Sequence, residues 1–275
     1  MPELPEVETT RRGIARRLLG RRVVAVVVRK RDQRWPIPRA LGTKLRRQRI
    51  IAVRRRGKYL LIDTKAGSAL VHLGMSGSLA VMDAALAPRK HDHWDMVFDD
   101  GRALRMHDPR RFGALLWIAA GADEARHPLL RHLGPEPLAL RADALAAHLA
   151  ARARGRRGAV KQFVMDGKVV VGVGNIYASE ALFAARVRPG RAAGRVTKTE
   201  WRAIARAIQR VLARAIAKGG TTLKDFSRPD GAPGYFRTRL NVYGRGGEPC
   251  RRCGATIKAR VQGQRATYWC GQCQR

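Results

Sequence analysis

Short apolar runs separated by turn signals fill residues 22–118. Each run spans three to seven residues, and glycine or charged pairs such as Asp99-Asp100 lie between them. Runs of this length are typical of strands, and their regular spacing favours an antiparallel sandwich or barrel over a parallel sheet. We predict eight strands, at Val23–Arg29, Ile50–Arg54, Tyr59–Asp63, Ala69–Leu73, Leu79–Met82, Met96–Phe98, Ala103–Met106 and Ala114–Ile118.

Helical spacing precedes and follows this β-rich region. Ile14 and Leu18 lie one turn apart in a first helix predicted over Val7–Leu19, which Gly20 would end. In the second half, Thr197 and Glu200 form a capping box before an amphipathic run that extends to Gly219. Alanine, arginine and proline dominate between the two regions. The pattern therefore predicts an α+β chain of more than one domain.

The charge is strongly unbalanced, with 56 Lys and Arg against 21 Asp and Glu and a net charge of +35. Such a charge repels itself in the compact state, so a polyanionic partner is expected, nucleic acid first. A membrane surface is the rival interpretation, but the basic residues do not concentrate beside one long amphipathic helix. The apolar runs are too short to cross a bilayer, and the acidic, proline-broken N-terminus does not resemble a signal peptide.

The four cysteines form two Cys-x2-Cys pairs, separated by sixteen residues, near the end of the chain. This spacing is typical of tetrahedral zinc, because each tight turn lets two thiolates meet one ion. Gly254 and Gly271 could supply the positive φ that such turns often need. Two short strands and a loop over Val261–Arg265 would form a hairpin between the pairs. Two disulfides are the alternative. The metal ligands would be Cys250, Cys253, Cys270 and Cys273.

The chain begins Met1-Pro2-Glu3, and removal of Met1 would leave a secondary amine at Pro2. An α-amino group has a pKa of about 8, so a usable neutral fraction exists at physiological pH. That amine could attack a sugar carbon, and Glu3 or Glu6 could move protons. Most proteins that begin Met-Pro make no chemical use of the proline. The residues by themselves leave both interpretations open.

Sequence blocks along the whole chain resemble the formamidopyrimidine-DNA glycosylases, bacterial enzymes that excise oxidised purines. The resemblance begins at the N-terminal Met-Pro-Glu-Leu-Pro-Glu and ends at the terminal cysteines. The blocks between them follow the family's order. They are Arg56–Leu60, His72–Gly77, Lys90–His93, Asp108–Gly113, Val171–Glu180, Gly219–Phe226, Gly234–Phe236 and Gln264–Thr267.

The resemblance implies a role for each catalytic position. Pro2 would be the nucleophile that forms a Schiff base with C1′ of the damaged nucleoside. Glu3 would protonate the sugar ring oxygen, and Lys58 would serve as general acid and base in β-elimination. Arg265 would contact phosphate and assist δ-elimination. An always-charged guanidinium is better suited to holding the phosphate than to donating a proton.

The resemblance also implies how the DNA is held. His91, Arg110, Arg156 and Asn175 match the family's DNA contacts, and Met75, Arg110 and Phe112 would fill the gap that an extruded base leaves. Asn175 alone could be a plain helix cap, and Met75 and Phe112 alone could be core residues. Residues Thr221–Tyr235 resemble the loop that covers the lesion.

The implied fold is a multidomain α+β protein. Residues 1–120 would form the leading helix and β-sandwich, 121–157 a linker and the start of the helical region, 158–240 a helix–two-turns–helix domain and 241–275 a zinc ribbon. The expected protein is a monomeric cytoplasmic repair enzyme, associated with the nucleoid through DNA. It would hold one structural Zn²⁺, act on double-stranded DNA containing an oxidised purine and cleave the abasic strand by β,δ-elimination. Two alternatives remain, an endonuclease VIII-like glycosylase for oxidised pyrimidines and a non-catalytic DNA-binding zinc-ribbon protein.

Overall fold

The computed structural model describes residues 2–220 and 240–275. Within them the chain divides into two compact units, one of residues 2–131 with 219–220 and one of residues 132–218 with 240–275. The helices are α1 (Leu4–Leu18), α2 (Leu41–Leu45), α3 (Ala142–Ala153), α4 (Val160–Met165), α5 (Asn175–Ala184) and α6 (Lys198–Ala217). The strands are β1 (Val23–Val28), β2 (Ala52–Arg56), β3 (Tyr59–Thr64), β4 (Gly67–His72), β5 (Ser78–Asp83), β6 (Asp92–Phe98), β7 (Arg102–His107), β8 (Ala114–Ala119), β9 (Ile257–Gln262) and β10 (Arg265–Cys270).

The first unit is a sandwich of two four-stranded antiparallel sheets, in the orders β1-β6-β7-β5 and β2-β3-β4-β8. Both sheets contribute to one apolar core, in which Leu60 and Val71 of one sheet and Met96 and Leu104 of the other are fully buried. Leu18 of α1 joins the same core. The predicted sandwich is confirmed, and the eight strands are those whose side chains alternate into this core.

Helix α1 begins at Leu4, three residues before the predicted start at Val7. Pro5 lies in its first turn, where the amide hydrogen that proline lacks would have no partner within the helix. Glu3 is the N-cap, with an extended backbone. The prediction was wrong because the prolines were interpreted as ending regular structure rather than as starting a helix.

Strand β6 begins four residues before the predicted Met96–Phe98. The prediction missed these residues because they include buried polar side chains, which an apolar pattern does not mark. Asp95 is 2% exposed and accepts hydrogen bonds from Arg105 Nη2 at 2.8 Å and Arg29 Nη2 at 2.5 Å. Burial raises the pKa of Asp95, but the hydrogen bonds from the two arginines outweigh burial and hold it below its ordinary value. Charge pairing across neighbouring strands thus allows acidic residues inside the sandwich.

The second unit is built on α6, against which α3 and α5 pack. The predicted capping box is confirmed, since Thr197 Oγ1 accepts from Glu200 N and the Glu200 carboxylate accepts from Thr197 N. Helix α3 lies within the stretch that the sequence presented only as a linker and the start of the helical region. Residues 166–174 join α4 to α5, and the buried Ile176 and Leu182 of α5 belong to the core of this unit.

A hairpin of β9 and β10 carries the C-terminal end of the chain. Its turn contains only Gly263 and Gln264, whereas a loop over Val261–Arg265 was predicted. Arg265 is therefore the first residue of β10, paired with Gln262, rather than part of a flexible loop. Met1 and the lesion-covering loop proposed at 221–235 lie outside the described residues, as do the motifs at 221–226 and 234–236.

Candidate active site, DNA-binding surface and metal centre

The N-terminus of α1 holds Pro2 and Glu3, both of which are buried. Glu3 and Glu6 form a reciprocal capping box, in which Glu3 N donates to Glu6 Oε2 at 2.9 Å and the Glu3 side chain accepts from the Glu6 amide. The positive end of the helix dipole favours carboxylates at this point. The structure thus places a carboxylate in a defined orientation in the residue that follows the proposed nucleophile.

Lys58 lies in the two-residue turn between β2 and β3, after Gly57 at a φ of +58°. Glycine in the first position is typical of tight hairpin turns of this kind. Arg55 connects the turn to α1, because its Nε donates to Glu8 Oε2 at 3.1 Å and its Nη1 donates to the Gly57 carbonyl at 3.0 Å. The chain therefore holds the Lys58 turn against α1, the helix that Pro2 and Glu3 precede.

His72, at the end of β4, is a neutral neighbour of Lys58. Its ring contacts Tyr59, with the ring centroids 4.7 Å apart, and its Nδ1 accepts from Gly74 N at 3.0 Å. Burial, together with the positive charges of Lys58 and Arg34, lowers the pKa of His72 to about 4. The imidazole adds no charge beside Lys58 at neutral pH.

This depressed pKa predicts a stability that falls with acidity. Below pH ~6.5 the unfolded chain binds a proton at His72, whereas the folded chain binds it only near pH 4, so unfolding becomes easier as pH falls through this window. We expect wild type to lose about 2.5 kcal/mol more than His72→Gln between pH 7.5 and 4.5. Urea unfolding at the two pH values measures the difference, and equal losses in the two proteins would contradict it.

Met75, Arg110 and Phe112 lie in two loops at one end of the sandwich, one between β4 and β5 and the other between β7 and β8. Met75 and Phe112 are half-buried, and Arg110 is exposed. The Arg110 guanidinium lies over the Phe112 ring, 5.0 Å from its centroid. The structure therefore brings Arg110 and Phe112 into contact, places Met75 in a loop that adjoins theirs, and leaves all three partly accessible, unlike ordinary core side chains.

His91 lies just before β6, next to the end of β7. Its ring makes edge contacts with His107 and His93, at centroid distances of 5.9 and 6.4 Å. The His107 ring is in turn held by Asp92, whose Oδ1 lies 2.8 Å from Nδ1. His91 is half-exposed, so a side chain supported by other rings is available to a ligand.

In the second unit, Asn175 and the hairpin residue Arg265 lie close together. Asn175 is the first residue of α5, and its Nδ2 donates to the Ala266 carbonyl at 3.1 Å. Lys161, 1% exposed, donates from Nζ to the same carbonyl at 2.9 Å and to Thr267 Oγ1 at 2.7 Å. These bonds hold the start of β10, and hence Arg265, at the N-terminus of α5, where amide hydrogens favour phosphate.

Lys161 was not singled out from the sequence. It occupies one position of a short apolar helix, and only the packing of α4 against the hairpin shows that its ammonium group is needed there. Glu180 is a second such residue, 3% exposed, whose carboxylate accepts from the backbone amides of Asn241, Val242 and Tyr243. It fixes the segment that leads into the ribbon.

Arg156 follows α3 in an arginine-rich segment and is exposed. Its backbone is held at both ends, since its amide donates to Ala153 and its carbonyl accepts from Gly194 N at 2.9 Å. With Arg157 and Arg195 it lines a recess of about 430 Å³. The recess is basic, as a phosphate contact requires, but nothing distinguishes Arg156 from the neighbouring arginines.

The four cysteines meet at the base of the hairpin. Their sulfurs all lie within 4.8 Å of one another, and the Cys253 Sγ is 3.5 Å from Cys270 and 3.4 Å from Cys273. Tetrahedral zinc with Zn–S bonds of about 2.3 Å places sulfurs about 3.8 Å apart, whereas a disulfide requires about 2.05 Å. All four thiols are free, and none forms a disulfide. The zinc ligand set is therefore confirmed, and the alternative of two disulfides is not supported.

Full ionisation of the four sulfurs together would need a cation. Burial and the neighbouring sulfurs raise the pKa of Cys273 to about 12, so the cluster cannot ionise fully without a positive charge at its centre. Backbone amides of Arg252 and Cys273 donate to Cys250 and Cys270 sulfurs at 3.4 Å. Gly254 has the expected positive φ of +77°; Gly271 was wrongly expected to have one.

Comparison with known proteins identifies the same three regions. Residues 1–115 match the formamidopyrimidine-DNA glycosylase N-terminal domain, residues 133–227 match the H2TH domain of the same enzymes, and residues 247–275 match a zinc finger found in FPG and IleRS. The three matches follow one another in chain order and together cover most of the sequence. The zinc-finger match agrees with the geometry of the four cysteines, and the protein holds one structural zinc ion.

Relatives match over their full length. Formamidopyrimidine-DNA glycosylases of Stenotrophomonas maltophilia (strain R551-3) and Methylococcus capsulatus are 57% and 55% identical to this chain, with all of each protein covered. A crystal structure of MutM (Fpg) from Thermus thermophilus is 41% identical, with a TM-score of 0.88 and coverage of 99% and 98%. A Lactococcus lactis FPG mutant in complex with Fapy-dG DNA is 30% identical, with a TM-score of 0.89 and full coverage of both chains.

Among residues 2–220 and 240–275, no helix combines the length and apolar character needed to cross a membrane. Neither alternative function is favoured, because the family match extends over the N-terminal domain and the relatives are named formamidopyrimidine-DNA glycosylases. From its sequence, its sandwich, its H2TH region and its zinc ribbon, the chain belongs to the formamidopyrimidine-DNA glycosylase family, DNA glycosylases of base excision repair that also carry AP lyase activity.

Proposed function

We propose that the substrate is double-stranded DNA containing an oxidised purine, 8-oxoguanine or a formamidopyrimidine. The Lactococcus lactis relatives are described in complex with Fapy-dG DNA and with abasic-site DNA. The net charge of +35 supports a polyanionic ligand, because neutralised phosphates release their counterions. The observation that carries the proposal is the buried pair of Pro2 and Glu3 at the N-terminus of α1.

In the first step, Pro2 supplies the nucleophile after removal of Met1. Its nitrogen lone pair forms a bond to C1′ as the glycosidic bond breaks, and the nitrogen's own proton passes to the departing base. Glu3, in its acid form, protonates the ring oxygen, and the C1′–O4′ bond opens as the nitrogen lone pair forms the iminium double bond. Because the capping box already orients the Glu3 carboxyl group, little reorganisation precedes the proton transfer.

In the second step, the iminium acidifies C2′, and Lys58 takes a proton there while the 3′-phosphate leaves. A further elimination releases the 5′-phosphate, and Arg265 holds that phosphate through its guanidinium. The neutral His72 beside Lys58 adds no positive charge at this point of the site. Zinc bound to the four cysteines supplies folding stability to the ribbon that presents Arg265.

The remaining site residues bind and distort the duplex. His91, Arg110, Arg156 and Asn175 contact phosphates, and Met75, Arg110 and Phe112 occupy the space that the extruded base leaves. Extrusion costs a few kcal/mol of stacking, which inserted side chains offset in part. The partial exposure of Met75 and Phe112 at one end of the sandwich supports this role.

The proposal extends to location and organisation. The protein acts as a monomer in the cytoplasm and associates with the nucleoid through DNA, since one lesion engages one chain. Its four parts are the sandwich domain at 1–120, the linking region at 121–157, the helix–two-turns–helix domain at 158–240 and the ribbon at 241–275.

A comparison of three substrates tests this proposal. Duplexes that contain 8-oxoguanine, a formamidopyrimidine or thymine glycol at the same position are incubated with excess enzyme, and the single-turnover rate of base release is measured. We expect both purine lesions to be excised at least ~10-fold faster than thymine glycol, the equivalent of about 1.4 kcal/mol of barrier. A preference for thymine glycol would instead identify an endonuclease VIII-like enzyme.

A further inference from the structure

Asp108 is a buried carboxylate with no role in the chemistry described above. It is the first residue after β7 and is 0% exposed. Its Oδ1 accepts from Ser76 Oγ at 2.9 Å and from Arg110 N at 3.3 Å, and its Oδ2 accepts from Gly113 N at 2.8 Å. Within the described part of the chain, no cation pairs with it. Neutral donors from two separate loops therefore satisfy the whole carboxylate.

Those donors belong to the loops that carry the proposed gap-filling side chains. Ser76 directly follows Met75, and the amides of Arg110 and Gly113 lie at the two ends of the segment that contains Phe112. A single carboxylate thus connects the loop after β4 to the loop after β7 from inside the sandwich.

The backbones of the two loops also meet directly. Gly74 has a φ of +66°, and a Cβ at this position would lie 2.5 Å from the Phe112 carbonyl carbon and 2.6 Å from Gly113 N. Because only glycine permits this approach, the Met75 loop rests on the Phe112 loop. The Gly74 contact and the Asp108 carboxylate both hold the two loops in one fixed arrangement.

A third segment is attached through the Asp108 backbone. Its amide donates to the His91 carbonyl at 2.9 Å, and its carbonyl accepts from His93 Nε2 at 2.7 Å. The proposed phosphate contact at His91 is therefore held by the same residue as the two loops.

We propose that Asp108 is the positioning residue for base extrusion, which holds Met75, Phe112 and Arg110 in place before DNA arrives. This inference rests on the role assigned to Met75 under Proposed function. Side chains ordered in advance lose less conformational freedom when they enter the stack, so the connection lowers the cost of inserting them. Asp108 acts only through these side chains and touches neither lesion nor sugar.

A double-mutant cycle between Ser76→Ala and Met75→Ala tests the connection. Ser76→Ala removes one hydrogen bond to Asp108 and leaves the others in place. We expect it to slow single-turnover excision of 8-oxoguanine from duplex DNA about fivefold, the kinetic equivalent of about 1 kcal/mol. Met75→Ala should slow excision further, and the double variant should be no slower than Met75→Ala, because the hydrogen bond acts through Met75.

Ser68→Ala is the matched control. Ser68 Oγ donates to the buried Asp63 Oδ1 at 2.6 Å in the same sandwich, near the opposite end of β4 from the Met75 loop. We expect this variant to lower the urea midpoint as much as Ser76→Ala does, with the excision rate unchanged within twofold.

Two results would overturn the inference and leave the proposed role of Met75 intact. One is a double variant whose loss of excision rate is the product of the two single losses. The other is a Ser68→Ala variant that slows excision as much as Ser76→Ala does. A Met75→Ala variant that excises at the wild-type rate would remove that role, and the inference with it.

Discussion

Replacement of Pro2 by glycine is expected to abolish the covalent adduct that borohydride traps between this protein and DNA containing 8-oxoguanine. The amine of Pro2 is the proposed nucleophile, and its place before the N-cap of α1 orients it beside the Glu3 carboxylate. Glycine lacks the ring that fixes the backbone and the secondary amine that forms an iminium directly. We expect strand cleavage to fall by about 10³-fold, or about 4 kcal/mol of barrier.

Pro5→Ala provides the matched control for this substitution. Pro5 is a second buried proline, in the first turn of α1, but it has no free amine. Its replacement should change helix stability only modestly and leave the trapped adduct at wild-type yield. An adduct that survives in Pro2→Gly at wild-type yield, with the sugar attached to a lysine, would assign the nucleophile to that lysine, with Lys58 the first candidate.

Loss of the zinc site is the second large expected effect. Cys253→Ser removes one of four ligands, and structural zinc contributes on the order of 10 kcal/mol to the folding of such modules. Without the metal, the hairpin can no longer hold Arg265 at the N-terminus of α5. We expect zinc content to fall from one ion per chain to nearly none, and affinity for lesion DNA to fall about 10²-fold, or about 2.7 kcal/mol.

Metal analysis and fluorescence anisotropy measure these two quantities. Gln272→Ala, an exposed change between two of the ligands, should keep both the zinc and the affinity. The sandwich has its own apolar core, so its β-sheet circular dichroism should persist in Cys253→Ser. Full affinity without zinc, or complete unfolding of the chain, would contradict the role assigned to the ribbon.

Much of the fold could be predicted because local patterns agree with it. Short apolar runs bounded by turn signals predicted the strands, and the capping box at Thr197 predicted α6. The cysteine spacing predicted the metal centre. Each of these signals arises within a few residues of sequence, where hydrogen bonding and side-chain periodicity decide the structure.

The prediction and the structure differ where contacts between residues distant in sequence determine the structure. The sequence pattern began β6 four residues late because it cannot show that Arg105 and Arg29 compensate the charge of Asp95. Asp108 is part of a recognised motif, yet its three side-chain hydrogen bonds depend on loops that meet only in the folded sandwich. The sequence does not show that Lys161 bonds to the hairpin, because that contact forms only when the hairpin packs over α4. Buried polar contacts between separate segments therefore required the structure.

Peptide mapping of the trapped complex tests the central claim most directly. Wild-type protein is reduced with borohydride on duplex DNA containing 8-oxoguanine, digested with protease and nuclease, and analysed by mass spectrometry. We predict that the reduced sugar fragment is attached to a peptide that begins at Pro2, with Met1 absent. A sugar attached to Lys58 or to any other lysine, or an active protein that retains Met1, would contradict the account.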